Sequence, residues 1–178
     1  GRNIRAARST AEPALVLCAG MIALVTMQAA RAAGCSRDFV ADIDATRLEL
    51  ARSMGASEII PYSGAALLRE CMRLTDGAGV DIAFEAVGRD ETVTAAIDAT
   101  RKGGTVTLIG NVTPEVKLPL QKVVSREIRL QGTAASAGEY PLAIESITAG
   151  KIHVAPLITA VAGLDEGPQW FERLHARK

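Results

Sequence analysis

Ala14-Leu-Val-Leu-Cys-Ala-Gly-Met-Ile-Ala23, the helix-forming run that continues to Ala33, and Phe39-Val-Ala-Asp42 decide the fold of this 178-residue chain. Residues 14–17 have strand character, 18–23 make a turn poor in bulk, 24–33 favour helix, and 39–41 form a second strand that ends in an acid. That order meets the demands of a dinucleotide. A pyrophosphate needs backbone N–H groups at a helix N-terminus, where unpaired donors and the macrodipole favour negative charge. Gly20 permits its close approach, and Ala23 sits where the helix must lie on the strand, a position that accepts Gly or Ala. Asp42 follows Gly20 by about 20 residues, the interval that brings a carboxylate to the ribose hydroxyls of adenosine. The same charge opposes a 2'-phosphate, so the expected cofactor is NAD rather than NADP.

One position departs from the pattern. Its first glycine is Cys18, which gives C-x-G-x-x-A. If a left-handed backbone is required there, Cys costs roughly 1–2 kcal/mol relative to Gly and weakens cofactor binding. The stretch has another reading: residues 13–30 carry no charge, follow Arg2, Arg5 and Arg8 and end in small residues, as a secretory signal does, and they approach the length of a membrane span. Gly20, Thr26, Gln28 and the strand-helix rhythm beyond them argue against both.

Composition narrows the function classes. Twenty basic residues balance twenty acidic ones, which points to neither nucleic acid nor an anionic membrane surface. Cysteines 18, 35 and 71 are too few and too scattered for a disulfide framework or a metal-ligand spacing, and a reducing, cytoplasmic setting is expected. Aromatic residues make up 3% of the chain, too few for base-stacking platforms.

Residues 1–8 resemble the tail of a helix, so the chain is expected to begin mid-element, as a fragment does. After Asp42, Asp44 can cap a helix whose Leu48, Ala51 and Met54 form one stripe, stopped by Gly55. Residues 58–60 make a third strand, and Ser63 caps a helix with Leu67, Leu68, Cys71 and Leu74 inward, Cys71 as a small core hydrophobe. Residues 80–85 form a fourth strand, 91–100 a helix, Gly103 and Gly104 a turn, and 105–109 a fifth strand. A short helix at 119–125, a sixth strand at 127–131 and a helix at 138–149 follow. The fold class is α/β: a doubly wound parallel sheet of the Rossmann type, six strands with helices on both faces. The layout is a linking tail at 1–12, a dinucleotide-binding domain at 13–150, and a strand-helix segment at 151–178 that returns to a second domain. In such a sheet Gly20, Asp42, Gly88 and Gly110 gather beyond the carboxyl ends of the strands, where strand order reverses.

Several motifs together carry a family. Leu15-Val-Leu-Cys-Ala-Gly-Met-Ile-Ala23, Ala41-Asp-Ile-Asp44, Phe84-Glu-Ala-Val-Gly88, Gly103-Gly-Thr-Val-Thr-Leu-Ile-Gly110 and Pro156-Leu-Ile-Thr159 resemble the coenzyme half of zinc-dependent medium-chain alcohol dehydrogenases. The branch resembled is that of sorbitol, other polyol and threonine dehydrogenases. The resemblance implies that Gly20, Met21, Ile22 and Ala23 present backbone to the pyrophosphate. It also implies that Asp42 holds the ribose, Ile43 packs on adenine and Arg47 closes over the ribose. Ala86, Val87 and Gly88 would flank the cofactor, and Ile109, Gly110, Asn111, Thr133 and Ala134 would meet its nicotinamide end. Catalytic residues and zinc ligands belong, in this family, to a separate domain, so none is expected in this chain. His153 and His175 are expected at the surface. The tail departs from the family in having Ala160-Val-Ala-Gly163 after its Pro-Leu-Ile-Thr segment.

The function implied is hydride transfer from a small alcohol or polyol to NAD, with zinc supplied from elsewhere and no activity from this chain alone. A non-catalytic module with a degraded turn, and a zinc-free NADPH-dependent quinone reductase, are the alternatives. The sixth strand and the segment after it, residues 127–135, are expected to pair with a second copy, giving a homodimer or homotetramer.

Overall fold

The structure, a computed structural model, describes residues 12–176. The helix tail expected at residues 1–8 lies outside them. Six parallel strands form one sheet in the order β3-β2-β1-β4-β5-β6. They are β1 Pro13–Leu17, β2 Arg37–Ala41, β3 Glu58–Ile60, β4 Val80–Glu85, β5 Thr100–Leu108 and β6 Arg129–Gly132. The order doubles back between β1 and β4, which opens a crevice at their carboxyl ends.

Alternation along β1 sorts the core into two layers. Ala14 and Val16 face α1 (Met21–Ala32) and α2 (Ala45–Ser53), packing with Leu24, Met27 and Leu48. Leu15 and Leu17 face α3 (Gly64–Leu74) and α4 (Asp90–Ala99), packing with Leu67, Cys71, Val93 and Ile97. A strand covered on both faces has no polar side, hence the continuous apolar run at 14–17. Residues 14–33 are therefore strand, turn and helix, and no helix among the described residues is long and apolar enough to cross a membrane.

Several boundaries differ from the sequence reading, each for a local reason. Helix α1 starts at Met21, not at residue 24, because extended Gly20 is its N-cap and accepts the Leu24 N–H at 2.9 Å. Gly103 and Gly104 lie inside β5 rather than in a turn before it. The register shifts opposite Val80 and Ile82, and a Cβ on Gly104 would sit 2.8 Å from the Asp81 carbonyl. Strand β6 begins at Arg129, since Glu127 has a left-handed backbone, φ 54°, at the end of the turn after α5 (Leu120–Ser125). Ser63 is the N-cap of α3 by position but makes no side-chain cap bond.

The strand expected in the 151–178 segment, over its apolar run at 154–161, is absent. That segment is a 3-10 turn at Ala155–Leu157 and irregular chain, followed by a second 3-10 turn and α7 (Gly167–His175). A strand needs a ladder partner, no described strand lies beside it, and Pro156 has no N–H to give. Gln28, buried in α1, holds the segment instead: its side chain accepts the His153 N–H at 2.6 Å and donates to the His153 carbonyl at 3.2 Å. Beyond that clip, Val161, Leu164, Phe171 and Leu174 are each more than 70% exposed.

Burial pushes the Cys71 thiol from its ordinary 9.0 up to about 12. The unfolded chain then loses this proton at a lower pH than the folded one, so stability is full below pH 9 and falls as pH rises toward 12. Urea titrations across that window should record a loss on the order of 4 kcal/mol from this group. The loss should shrink in Cys71→Val.

Candidate functional site

A cleft of about 460 Å3 opens over the carboxyl end of β1. From the β2 side come Asp42, Ile43 and Arg47; from the β4 side come Val87, Arg89 and Thr92; Tyr62 and Ser63 close the end before α3. Cys18 and Leu17 form its floor. The sheet explains this grouping, because parallel pairing sets Leu17 level with Ala41 on one side and with Glu85 on the other.

Asp42 is the hub of the rim. Its side chain is only 8% exposed. Oδ2 accepts the Ala19 N–H at 2.7 Å and Oδ1 accepts the Asp44 N–H at 2.9 Å, while Arg47 Nη1 lies 4.0 Å from Oδ2. A carboxylate offers about four lone-pair directions, so this one retains acceptor capacity toward the cleft. Asp44 in turn caps α2, accepting the Thr46 and Arg47 N–H groups at 2.9 and 3.2 Å. Ile43, between the two acids, is 80% exposed.

The turn between β1 and α1 carries the strain foreseen for it. Cys18 has φ 91°, a conformation that costs an L residue roughly 1–2 kcal/mol. No side chain caps α1, whose first turn contains no acid, so its positive pole is available to an anion. Met21 and Ile22 are exposed beside this pole, whereas Ala23 is buried against the sheet. The Cys18 thiol is raised from its ordinary range, first by burial and then by the Asp42 charge, so it is protonated at neutral pH.

On the far side two loops pack backbone against backbone. A Cβ on Gly110 would fall 2.3 Å from Val87 backbone atoms, and one on Gly88, at φ 83°, would fall 2.5 Å from the Asn111 nitrogen. Only glycine permits this approach. Glu85, fully buried, fixes the same turn: its carboxylate accepts the N–H groups of Val87 at 2.8 Å and Gly88 at 2.9 Å. Its carbonyl takes those of Ile109 and Gly110 at 2.8 and 3.0 Å. Ala86 and Ile109 pack on the α1 face, and Thr133 donates to the Leu108 carbonyl from both N–H and Oγ1 at 3.1 Å, with Ala134 next to it.

Of the residues singled out in the sequence, Asp42, Ile43, Arg47 and Val87 therefore share the cleft. Gly20, Met21, Ile22 and Ala23 adjoin it through Cys18. Ala86, Gly88, Ile109, Gly110, Asn111, Thr133 and Ala134 continue along the carboxyl edge outside it. His153 and His175 are exposed and do not line it. The sequence reading missed Glu85, although a charge closing an otherwise apolar strand was a usable signal. It also missed Arg89, Thr92 and Tyr62, which nothing in the sequence separates from surface residues. Among the described residues no group of three or more His, Cys, Asp or Glu side chains is placed to hold a metal ion.

A family model described as zinc-binding dehydrogenase matches residues 22–149. The chain belongs to that family. The chain is 40% identical to L-idonate 5-dehydrogenase of Vitis vinifera, over 82% of its own length and 41% of the relative's. It is 36% identical to sorbitol dehydrogenase of Arabidopsis thaliana, over 85% and 43%. Among solved structures, an Escherichia coli oxidoreductase/dehydrogenase of unknown specificity superposes with TM-score 0.88 at 29% identity, covering 93% of this chain and 48% of that one. The chain thus spans less than half the length of these relatives.

Replacing Gly110 by Ala should lower stability by about 1–3 kcal/mol through the forced separation of the two loops. Gly132→Ala, with nothing within 4 Å of the added atom, should change it by less than about 0.5 kcal/mol. Thermal unfolding of the two variants checks the contrast.

Proposed function

We propose that this chain is the NAD-binding half of a dehydrogenase that oxidises a small alcohol or polyol. The observation that carries the proposal is a carboxylate, Asp42, held at the rim of the cleft beside an uncapped helix start. The pyrophosphate would lie against Gly20 and the first turn of α1, where backbone donors and dipole favour it. The ribose hydroxyls would donate to Asp42, with Arg47 above them. Adenine would sit between exposed Ile43 and, across the cleft, the Arg89 guanidinium, an aliphatic and a cationic partner for its two faces.

Glu85, by pinning the Ala86–Gly88 turn, and Gly110, by letting its loop approach, would shape the channel toward the nicotinamide end, where Ile109, Asn111, Thr133 and Ala134 lie. NAD, when bound, supplies the hydride acceptor. The chain's own contribution is to orient that acceptor and hold it still. Zinc chemistry, in the family sense, would draw its ligands from a part of the protein beyond these residues. The exposed apolar side chains of α7 and the segment before it are a natural seat for that part.

A second reading is NADP, which a solved relative from Sinorhizobium meliloti carries in its structure. Asp42 disfavours it through charge repulsion with a 2'-phosphate. Calorimetric titration should register NAD binding by the 178-residue chain, at least about 10-fold weaker in Asp42→Ala, and no preference for NADPH over NADH. Equal affinity of the two proteins for NAD would sink the reading. Absence of binding at millimolar cofactor would favour a non-catalytic module.

Strand β6 ends the sheet, so its outer ladder groups are open. We propose that this edge pairs with a second copy, closing a homodimer that can build further to a homotetramer. Sedimentation equilibrium at high concentration should give at least twice the mass of one chain; a monomer there refutes the pairing.

A further inference from the structure

Cys18 occupies the position of the first glycine of the dinucleotide turn, and its thiol does not point away from that turn. Sγ folds back and accepts the Gly20 N–H at 3.3 Å. A Cβ built on Gly20 would meet that same sulfur at 3.5 Å, so the sulfur lies over the bare face of the glycine. The Asp42 charge nearby helps hold the thiol in its protonated form. The preceding amide, Ala19 N–H, is already engaged by Asp42 Oδ2 at 2.7 Å. Cys18 is half-buried in the cleft, whereas Cys35 and Cys71 are buried in the core. A glycine at this position would leave the Gly20 amide open.

We propose that Cys18 sets the affinity of the coenzyme turn by self-occupancy: its sulfur fills the place of a diphosphate oxygen on the Gly20 amide and must be displaced for a dinucleotide to bind. The proposal rests on the dinucleotide reading of the cleft. A thiol sulfur is a weak acceptor and a diphosphate oxygen a charged, strong one, so the exchange is possible but costs the bond already made. Because the thiol is neutral, it competes without repelling the phosphate. Backbone strain at φ 91° is a separate effect, present with and without ligand, and therefore acts on stability rather than on affinity.

Two substitutions separate these effects. Cys18→Ala removes the sulfur and keeps the strained backbone; Cys18→Gly removes both. Titrating ADP-ribose into the 178-residue chain and its two variants should give about 2- to 10-fold tighter binding in both variants. Adenosine, which lacks the diphosphate and can be followed by NMR shift titration, should bind all three alike. The melting temperature should rise only in Cys18→Gly. Unchanged ADP-ribose affinity in Cys18→Ala overturns self-occupancy while leaving the dinucleotide reading intact. An equal gain for adenosine also overturns it, by tracing the effect to the shape of the cleft. Failure of all three proteins to bind ADP-ribose and NAD overturns both readings together.

Discussion

The Asp42 carboxylate ties the chain together where two strands end. One oxygen holds the amide after β1 and the other holds the amide before α2, so a single side chain fixes two loops that are far apart in sequence. This is possible only because β1 and β2 run parallel and in register, Leu17 beside Ala41. An antiparallel pair would put the turn and the acid at opposite ends of the sheet. The carboxylate is thus both a structural clamp and the charge that the cleft presents, and any ligand that uses it meets a group already oriented.

Two other buried acids follow the same logic at either end of the sheet. Asp38, at the start of β2, is neutralised by Arg31 at 2.8 Å and accepts the Ser57 hydroxyl at 2.9 Å. Arg31 also holds the Gly55 carbonyl, which joins α1 to the end of α2. Glu85, at the opposite end of the sheet, is stabilised by backbone N–H groups alone. Buried charge requires such partners, and the difference between them matters. The cation-paired acid stiffens the edge away from the cleft, while the acid held by amides shapes the loop that borders it.

The cleft side and the C-terminal side of the molecule differ in how they satisfy apolar surface. Along β1 the large side chains Leu15, Val16 and Leu17 are covered by α1 to α4. Beyond α5, by contrast, Leu142, Ile144, Val161, Phe171 and Leu174 face outward. The chain spans less than half the length of the relatives it matches, and its sheet is covered on both faces while these C-terminal side chains are not.

The sequence alone determined the α/β class, the six strands, the two helix layers and the gathering of Gly20, Asp42, Gly88 and Gly110 beyond the carboxyl ends of the strands. Periodicity and turn chemistry are local, and local patterns are what a linear reading can see. Cys71 was read as a core residue for the same reason. The strand order, the contact of Gly88 with the Asn111 loop, the role of Glu85 and the meeting of Ile43 and Arg89 at one cleft were decided only in three dimensions. Apart from the hold of the Glu85 carboxylate on its own turn, each joins residues separated by at least one strand-helix unit. The missing strand at 154–161 teaches the converse lesson: its β-branched, apolar run has strand propensity, but a strand exists only where another edge offers hydrogen bonds. For Cys18 the division is sharpest. Its position in the pattern predicted a strained backbone, yet that its sulfur closes over the Gly20 amide depended on where the folded turn and Asp42 left the thiol room to lie.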